Sequence, residues 1–176
     1  MNLRLKRTPG IYLVGFMGSG KSTVGRSLAH RLGWSFFDID AEIERAEGMP
    51  ISEIFAALGE AEFRRIEMEM VCQHVRWIER GRPAVVALGG GAFAVPATRQ
   101  LLRDNGVSVW LDCPFETVER RVARDPSRPL ARDPEQFQAL YLARRESYSL
   151  ADVRIAVAEE DAATVVEALL AHPMLR

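Results

Sequence analysis

The chain has 176 residues, with 23 Lys and Arg against 24 Asp and Glu, for a net charge of −1. At 48% hydrophobic and 27% charged residues it has the composition of an ordinary globule with one full-sized core. That balance excludes a global basic field for nucleic acid or anionic membrane, and no window approaches the roughly 18 apolar residues of a membrane span. Cys72 and Cys113 form neither a close pair nor a metal-ligand pattern, so a reduced, cytoplasmic protein is expected.

The run IYLVGF (11–16) predicts a strand, because it leads straight into a glycine loop and lacks the length of a signal sequence. Lys21–Leu32 reads as a helix ended by Gly33. WSFFDID (34–40) is a second strand, and Ala41–Glu47 a short helix stopped by GMP. Ser52–Leu58 reads as another helix with Ser52 as N-cap. Glu60–Glu79 forms a long helix, with Phe63, Ile66, Met70, His74 and Ile78 at three- and four-residue spacing. AVVAL (84–88) is a strand that runs into GGG. Pro96 opens a helix that ends near Asn105 and Gly106. VSVWLDC (107–113) is a strand, and Pro114 opens the next helix. An irregular proline-rich segment, DPSRPLARDP, precedes a helix over Glu135–Leu150. VRIAVA (153–158) and Ala162–His172 supply the last strand and helix. Five apolar strands separated by helices predict an α/β domain with a mostly parallel sheet. Ligands of such sheets bind at the carboxyl ends of the strands, where GFMGSGKS, DID and GGG would meet.

Gly15-x-x-x-x-Gly20-Lys21-Ser22 matches a phosphate-binding loop at every defined position. The chemistry requires these residue types. Glycines such as Gly15, Gly18 and Gly20 let backbone N–H groups approach phosphate oxygens, and the following helix adds its positive end. Ser19 and Thr23 belong to the same loop. Lys21 reaches the outer phosphates, and the Ser22 hydroxyl suits Mg²⁺. A nucleoside triphosphate with Mg²⁺ is therefore expected, while the acceptor stays open between water, a protein and a small molecule. A guanine-specific GTPase would need an Asn-Lys-x-Asp motif, and neither Asn2 nor Asn105 precedes a lysine.

Strand alternation would put Phe36, Asp38 and Asp40 on one face. One carboxylate could orient the metal and the other hold an acceptor hydroxyl; alternatively, Asp40 caps the helix that follows. Arg144 lies on the apolar stripe of its helix, between Tyr141 and Tyr148, so its guanidinium faces inward and requires an anion, from the protein or from a ligand. Arg64 lies beside the stripe of its own helix, where an ion pair with Glu60 or Glu67 is the plain expectation. Arg128, in the proline-rich segment, reads as a connector residue or as part of a lid that closes on phosphate and excludes water, with Arg132 assisting. Gly89, Gly90 and Gly91 permit close approach of backbone to a ligand.

In this order, DID at 38–40, GEAEFRRIE at 59–67, LGGGA at 88–92, RPLA at 128–131 and the spacing from Arg144 to Tyr148 resemble the shikimate kinase family over nearly the whole chain. The resemblance implies a P-loop kinase fold: a five-stranded parallel sheet of order 2-3-1-4-5, a single domain over 1–176, a substrate-binding region at about 41–70 and a lid at about 124–134. It implies transfer of the γ-phosphoryl group of ATP to the 3-hydroxyl of shikimate, with Mg²⁺. A monomer is the default expectation, and the charge balance and short apolar runs lead to no expectation of nucleic acid or membrane as partners. The resemblance further implies that Arg64 and Arg144 hold the substrate carboxylate and that Gly89, Gly90 and Gly91 line the substrate pocket. Asp40 would hold the reacting hydroxyl as the candidate base, and Asp38 would orient the metal through water. Arg128 would contact phosphate, and Arg121 would stack on adenine. Lys21, Asp40 and Arg128 form the implied catalytic set.

Two positions depart from the family pattern: Ala87 stands where many relatives carry a hydroxyl, and the lid reads RPLA where many have RPLL. Two rivals remain at this level, a sugar-acid kinase of the same fold and a ligand-sensing module without turnover. His30, His74 and His172 have no partner that the sequence identifies.

Overall fold

The computed structural model describes residues 10–125, 133–157 and 161–175. The elements in chain order are β1 (Gly10–Val14), α1 (Lys21–Leu32), β2 (Ser35–Asp38), α2 (Ile39–Glu47), α3 (Ile51–Glu79) and β3 (Ala84–Ala87). A 3₁₀ turn at Ala92–Ala94 leads to α4 (Pro96–Asn105), β4 (Gly106–Asp112), α5 (Phe115–Ala123), α6 (Pro134–Tyr148), β5 (Val153–Ala156) and α7 (Ala162–Ala171). The strands form one parallel five-stranded sheet of order β2-β3-β1-β4-β5, as expected.

Central strands β1 and β3 are buried at every position, which explains their unbroken apolar sequence: helices cover both faces. The chain leaves β1 toward β2 on one side and later passes from β3 over β1 to β4 on the other. Right-handed crossovers therefore place α1 on one face and α3 and α4 on the opposite one. The packing agrees, with α1 against α7 and α3 against α4. The reversal of direction beside β1 opens a crevice at the carboxyl ends of β1 and β3.

Several boundaries differ from the sequence expectation. β1 ends at Val14, so Phe16 belongs to the loop, where its ring meets Phe137 and Tyr141 of α6 edge-on at 5.3 and 5.4 Å. That contact ties the phosphate loop to the helix carrying Arg144. The helices expected at 52–58 and 60–79 run together as α3, with a kink at Gly59 (φ 81°, ψ 170°), a left-handed φ that favours glycine. The N-cap of α3 is Pro50 rather than Ser52, with no side-chain cap.

The largest correction concerns DID. The strand stops at Asp38, which turns the chain into α2 by accepting a hydrogen bond from the Ala41 N–H at 3.2 Å. Asp40 therefore lies in the first turn of a helix, not on a strand face, and the cap is Asp38 rather than Asp40. A short polar side chain that can replace a backbone partner starts a helix wherever it stands, and this outweighs strand alternation.

Candidate active site

A cavity of about 1270 Å³ opens at the carboxyl edge of the sheet. One end is lined by the loop from Gly18 to Thr23 and by Arg121, the other by Arg64, Glu67, Arg144 and Gly89–Gly91. Asp38 and Asp40 lie on its wall as well. The fold thus gathers the sequence-selected residues within the described segments around one space, with Gly15 just behind the loop. Arg128 and Arg132 lie outside the described residues.

The loop is built for close approach. Gly20 (φ 94°, ψ 15°) adopts the left-handed conformation immediately before α1, which turns the first amides of the helix into the cavity. Gly15 is held close to β4: a Cβ there would stand 2.9 Å from the Leu111 carbonyl oxygen. The loop closes through a hydrogen bond from the Ser19 N–H to the Phe16 carbonyl at 3.1 Å. Lys21 Nζ donates to the Gly15 and Phe16 carbonyls at 2.7 and 3.1 Å, so its ammonium arches over the loop. At the far side of the loop, Arg121 of α5 donates to the Gly18 carbonyl at 3.0 Å. Thr23, Val157 and Ala162 line the cavity with it.

Ser22 Oγ donates to Asp38 Oδ2, which brings a hydroxyl and a carboxylate from α1 and β2 together. Among the described residues no group of three or more His, Cys, Asp or Glu could hold a metal by itself. A pair of hard oxygens beside a phosphate loop fits Mg²⁺, which keeps much of its water and takes further ligands from phosphate.

The opposite end is cationic, with the buried Glu67 and the half-buried Asp40 behind it. Arg64 pairs with Glu67 at 2.6 Å and approaches Glu60 at 3.7 Å, so both plain partners expected for it are present. Arg144 donates to the Gly90 carbonyl at 3.2 Å, and the Tyr148 hydroxyl donates to the same oxygen at 2.6 Å. Arg64 and Arg144 both crowd Gly91: a Cβ there would stand 2.5 Å from Nη1 of Arg144 and 2.7 Å from Cζ of Arg64. Gly89 plays the same part for the acids, since its Cβ would lie 2.6 Å from Asp40 Oδ1 and 2.8 Å from Glu67 Oε1. The triple glycine therefore leaves the space that four charged side chains occupy.

Glu67 is the site residue that the sequence reading treated only as a pairing partner. It is 3% exposed, and its Oε1 is buried without a hydrogen-bond partner in the structure. Burial pushes its carboxyl above the usual carboxylate range, against the opposing pull of Arg64. The signal was present: Glu67 follows Phe63 by four residues and precedes Val71 by four, which puts an acid on the buried stripe of α3.

Arg145, next to Arg144, turns the other way. It and Arg154 both pair with Asp112 at the end of β4, and both guanidiniums lie 4.9 Å from the Trp110 ring centroid. Burial raises the Asp112 carboxyl, but the hydrogen bonds and charges of the two arginines outweigh it and hold it below its ordinary value. His74 also has a partner that the sequence did not reveal, Glu42, at 2.8 Å.

Comparison with known proteins bears on the family and the fold. A shikimate kinase of Moorella thermoacetica is 45% identical over 160 residues, covering 89% of this chain and 90% of that protein. One from Cereibacter sphaeroides is 41% identical over 97% of this chain and 86% of that protein. The structure of shikimate kinase from Acinetobacter baumannii in complex with shikimate superposes with a TM-score of 0.83 at 37% identity, covering 92% of this chain and 90% of that one. A gluconokinase from Sinorhizobium meliloti reaches only 0.56 at 18% identity, over 92% of this chain and 89% of that one, which shows a shared fold alone. The family model for shikimate kinase matches residues 17–172, and with relatives above 40% identity over almost the whole length, the chain belongs to the shikimate kinase family.

Proposed function

We propose that this chain transfers the γ-phosphoryl group of ATP to the 3-hydroxyl of shikimate. One observation carries the reading: a phosphate loop and a pair of converging arginines face each other across one cavity, with Asp40 on the wall between them. A triphosphate fits the first end and a carboxylate the second. A ring acid anchored by Arg64 and Arg144 would present its hydroxyl toward the loop, where Asp40 can accept its hydrogen bond.

Phosphoryl transfer asks the protein mainly for positioning and charge neutralisation. Lys21 would leave the Gly15 and Phe16 carbonyls for the outer phosphates and stabilise the charge on the transferring group. Ser22 and Asp38 would hold Mg²⁺, which when bound neutralises phosphate charge. Asp40 would aim the hydroxyl and take up its proton. Arg121 would cover the nucleotide base from α5. Glu67 would hold Arg64 in its carboxylate-binding pose, and its burial opposes a second negative charge beside Asp40. The assignment of Arg128 to the phosphates rests on the family resemblance.

ADP release by the purified protein with Mg·ATP tests the reading, with shikimate as acceptor and gluconate and quinate as controls. Turnover with shikimate alone, lost in Lys21→Ala and in Arg144→Ala, is the expected result. Turnover with gluconate instead would assign the twin arginines to a sugar acid. ATP binding without turnover on any acceptor would make the domain a ligand-sensing module.

A further inference from the structure

The pair Glu42–His74 lies outside the cavity, yet it brackets the residues that matter most inside it. Glu42 is in α2, two residues after Asp40, and its Oε2 lies 2.8 Å from His74 Nε2 on α3. The same imidazole stacks on Phe37, the residue before Asp38, with ring centroids 4.1 Å apart and planes 28° from parallel. Trp77 then meets Phe37 edge-on at 5.7 Å. His74 is only 8% exposed, so little water competes for its ring. One side chain of α3 therefore holds the segment 38–40 from both of its ends.

Its position along α3 gives this grip a consequence. His74 lies seven residues, two helical turns, after Glu67, on the same buried stripe. Arg64 lies on the same helix after the Gly59 kink, about 15 Å from His74 at 1.5 Å rise per residue. The arm that carries Arg64 and Glu67 and the clamp on the Asp38–Asp40 segment are thus parts of one helical rod. The segment itself is weakly determined from within: α2 has nine residues, too few to hold a helix by propensity alone. Ile39 and Ile43 bury it against the core, but apolar burial is non-directional. A hydrogen bond between Glu42 and His74 has direction and fixes the roll of α2, and with it the aim of Asp40.

We infer that His74 is a positioning residue, which through Glu42 and Phe37 sets the carboxylate of Asp40 relative to the carboxylate-binding Arg64. The inference rests on the proposed reading of the site. It follows that the pair acts chiefly on the match between enzyme and acceptor: Lys21 and the loop glycines are held by β1, α5 and α6, and the nucleotide end is reached only through Asp38, which Ser22 also holds.

The test is steady-state kinetics on the full chain with both substrates varied, for the wild type, His74→Ala, Glu42→Ala, the double variant and His74→Gln, each with its melting temperature. His74→Ala should lower kcat/KM for shikimate about tenfold, through both a higher KM and a lower kcat, in line with the sensitivity of transfer to small misplacements. The KM for ATP should stay within about twofold of wild type, since uniform damage is not expected. Glu42→Ala, on a more exposed residue, should act the same way and carries the test if His74→Ala fails to fold. The double variant should be no worse than the poorer single one, the mark of coupled residues. His74→Gln, which keeps a donor within reach of Glu42, should recover most of the loss. A lower melting temperature with unchanged kcat/KM, single effects that multiply, an equal rise in both KM values or no recovery in His74→Gln each overturns the inference. A wild type that releases no ADP with shikimate overturns the substrate reading first, and this inference with it.

Discussion

Gly91 leaves the place of its missing Cβ to Arg64: a methyl group there would overlap the guanidinium and lie 2.7 Å from its Cζ. Arg144 enters the same space from α6, 2.5 Å from that position. The backbone of Gly91 (φ −97°, ψ −16°) suits any residue, and the atoms in the way are the ends of flexible side chains. Gly91→Ala should therefore fold, with a melting temperature within a few degrees of wild type, while its arginines splay apart. We expect the KM for shikimate to rise at least about tenfold, consistent with the loss of one charge-assisted contact, and the KM for ATP to hold. Parallel kinetics and thermal melts decide it, and a normal shikimate KM would remove the twin arginines from the carboxylate site.

Asp40→Asn keeps the shape of the side chain and removes its capacity to take a proton. The expected loss in kcat is about 10²- to 10⁴-fold, the usual worth of a positioned acid or base, with ATP affinity almost unchanged. Calorimetric ATP binding measured beside turnover separates the two effects. Small and equal changes in both would leave Asp40 no catalytic part.

Glu67 makes a prediction about pH. Its folded-state carboxyl titrates above the ordinary value because it is buried. The folded protein thus holds a proton that the unfolded chain gives up more readily, and stability falls as pH rises from the unfolded value, about 4.3, through the folded one. Glu67→Gln cannot ionise and escapes this cost. The difference in melting temperature between Glu67→Gln and wild type should therefore move in favour of the variant from pH 4.5 to pH 8, as read by thermal melts across that range. A constant difference would mean that Glu67 titrates normally. The same variant should bind shikimate less well, since Arg64 loses the carboxyl group that holds it at 2.6 Å.

Asp112 has the opposite sign. Held low by Arg145 and Arg154, its carboxylate contributes stability that is present above the unfolded value near pH 4 and is lost as pH falls through the folded one. Arg145→Ala removes one of the two partners and should cost about 1–2 kcal/mol at pH 7, with a smaller cost at pH 3. Urea unfolding at both pH values measures the difference. Turnover should survive, because Arg145 points away from the cavity that Arg144 enters. Loss of activity without loss of stability would contradict that division of labour.

Much of this protein is written locally. The glycine loop, its lysine and serine, the apolar strands and the helical periods depend on a few neighbouring residues, because turn chemistry and periodicity act over short spans. The inward direction of Arg144 could be read from its place between Tyr141 and Tyr148. The phosphate site and the parallel sheet were legible for the same reason.

What the chain alone left open depends on residues far apart in sequence. Asp38 and Asp40 looked like neighbours on a strand until the Ala41 amide, captured by Asp38, turned the second aspartate onto a helix. The triple glycine was weak evidence by itself. Its meaning appeared only when Asp40, Glu67, Arg64 and Arg144, from three different helices, occupied the space its missing side chains leave. His74 had no partner in the sequence because Glu42 is 32 residues away. Backbone chemistry and periodicity are local and can be read from the sequence; the meeting of charges is set by packing, and only the tertiary structure decided it.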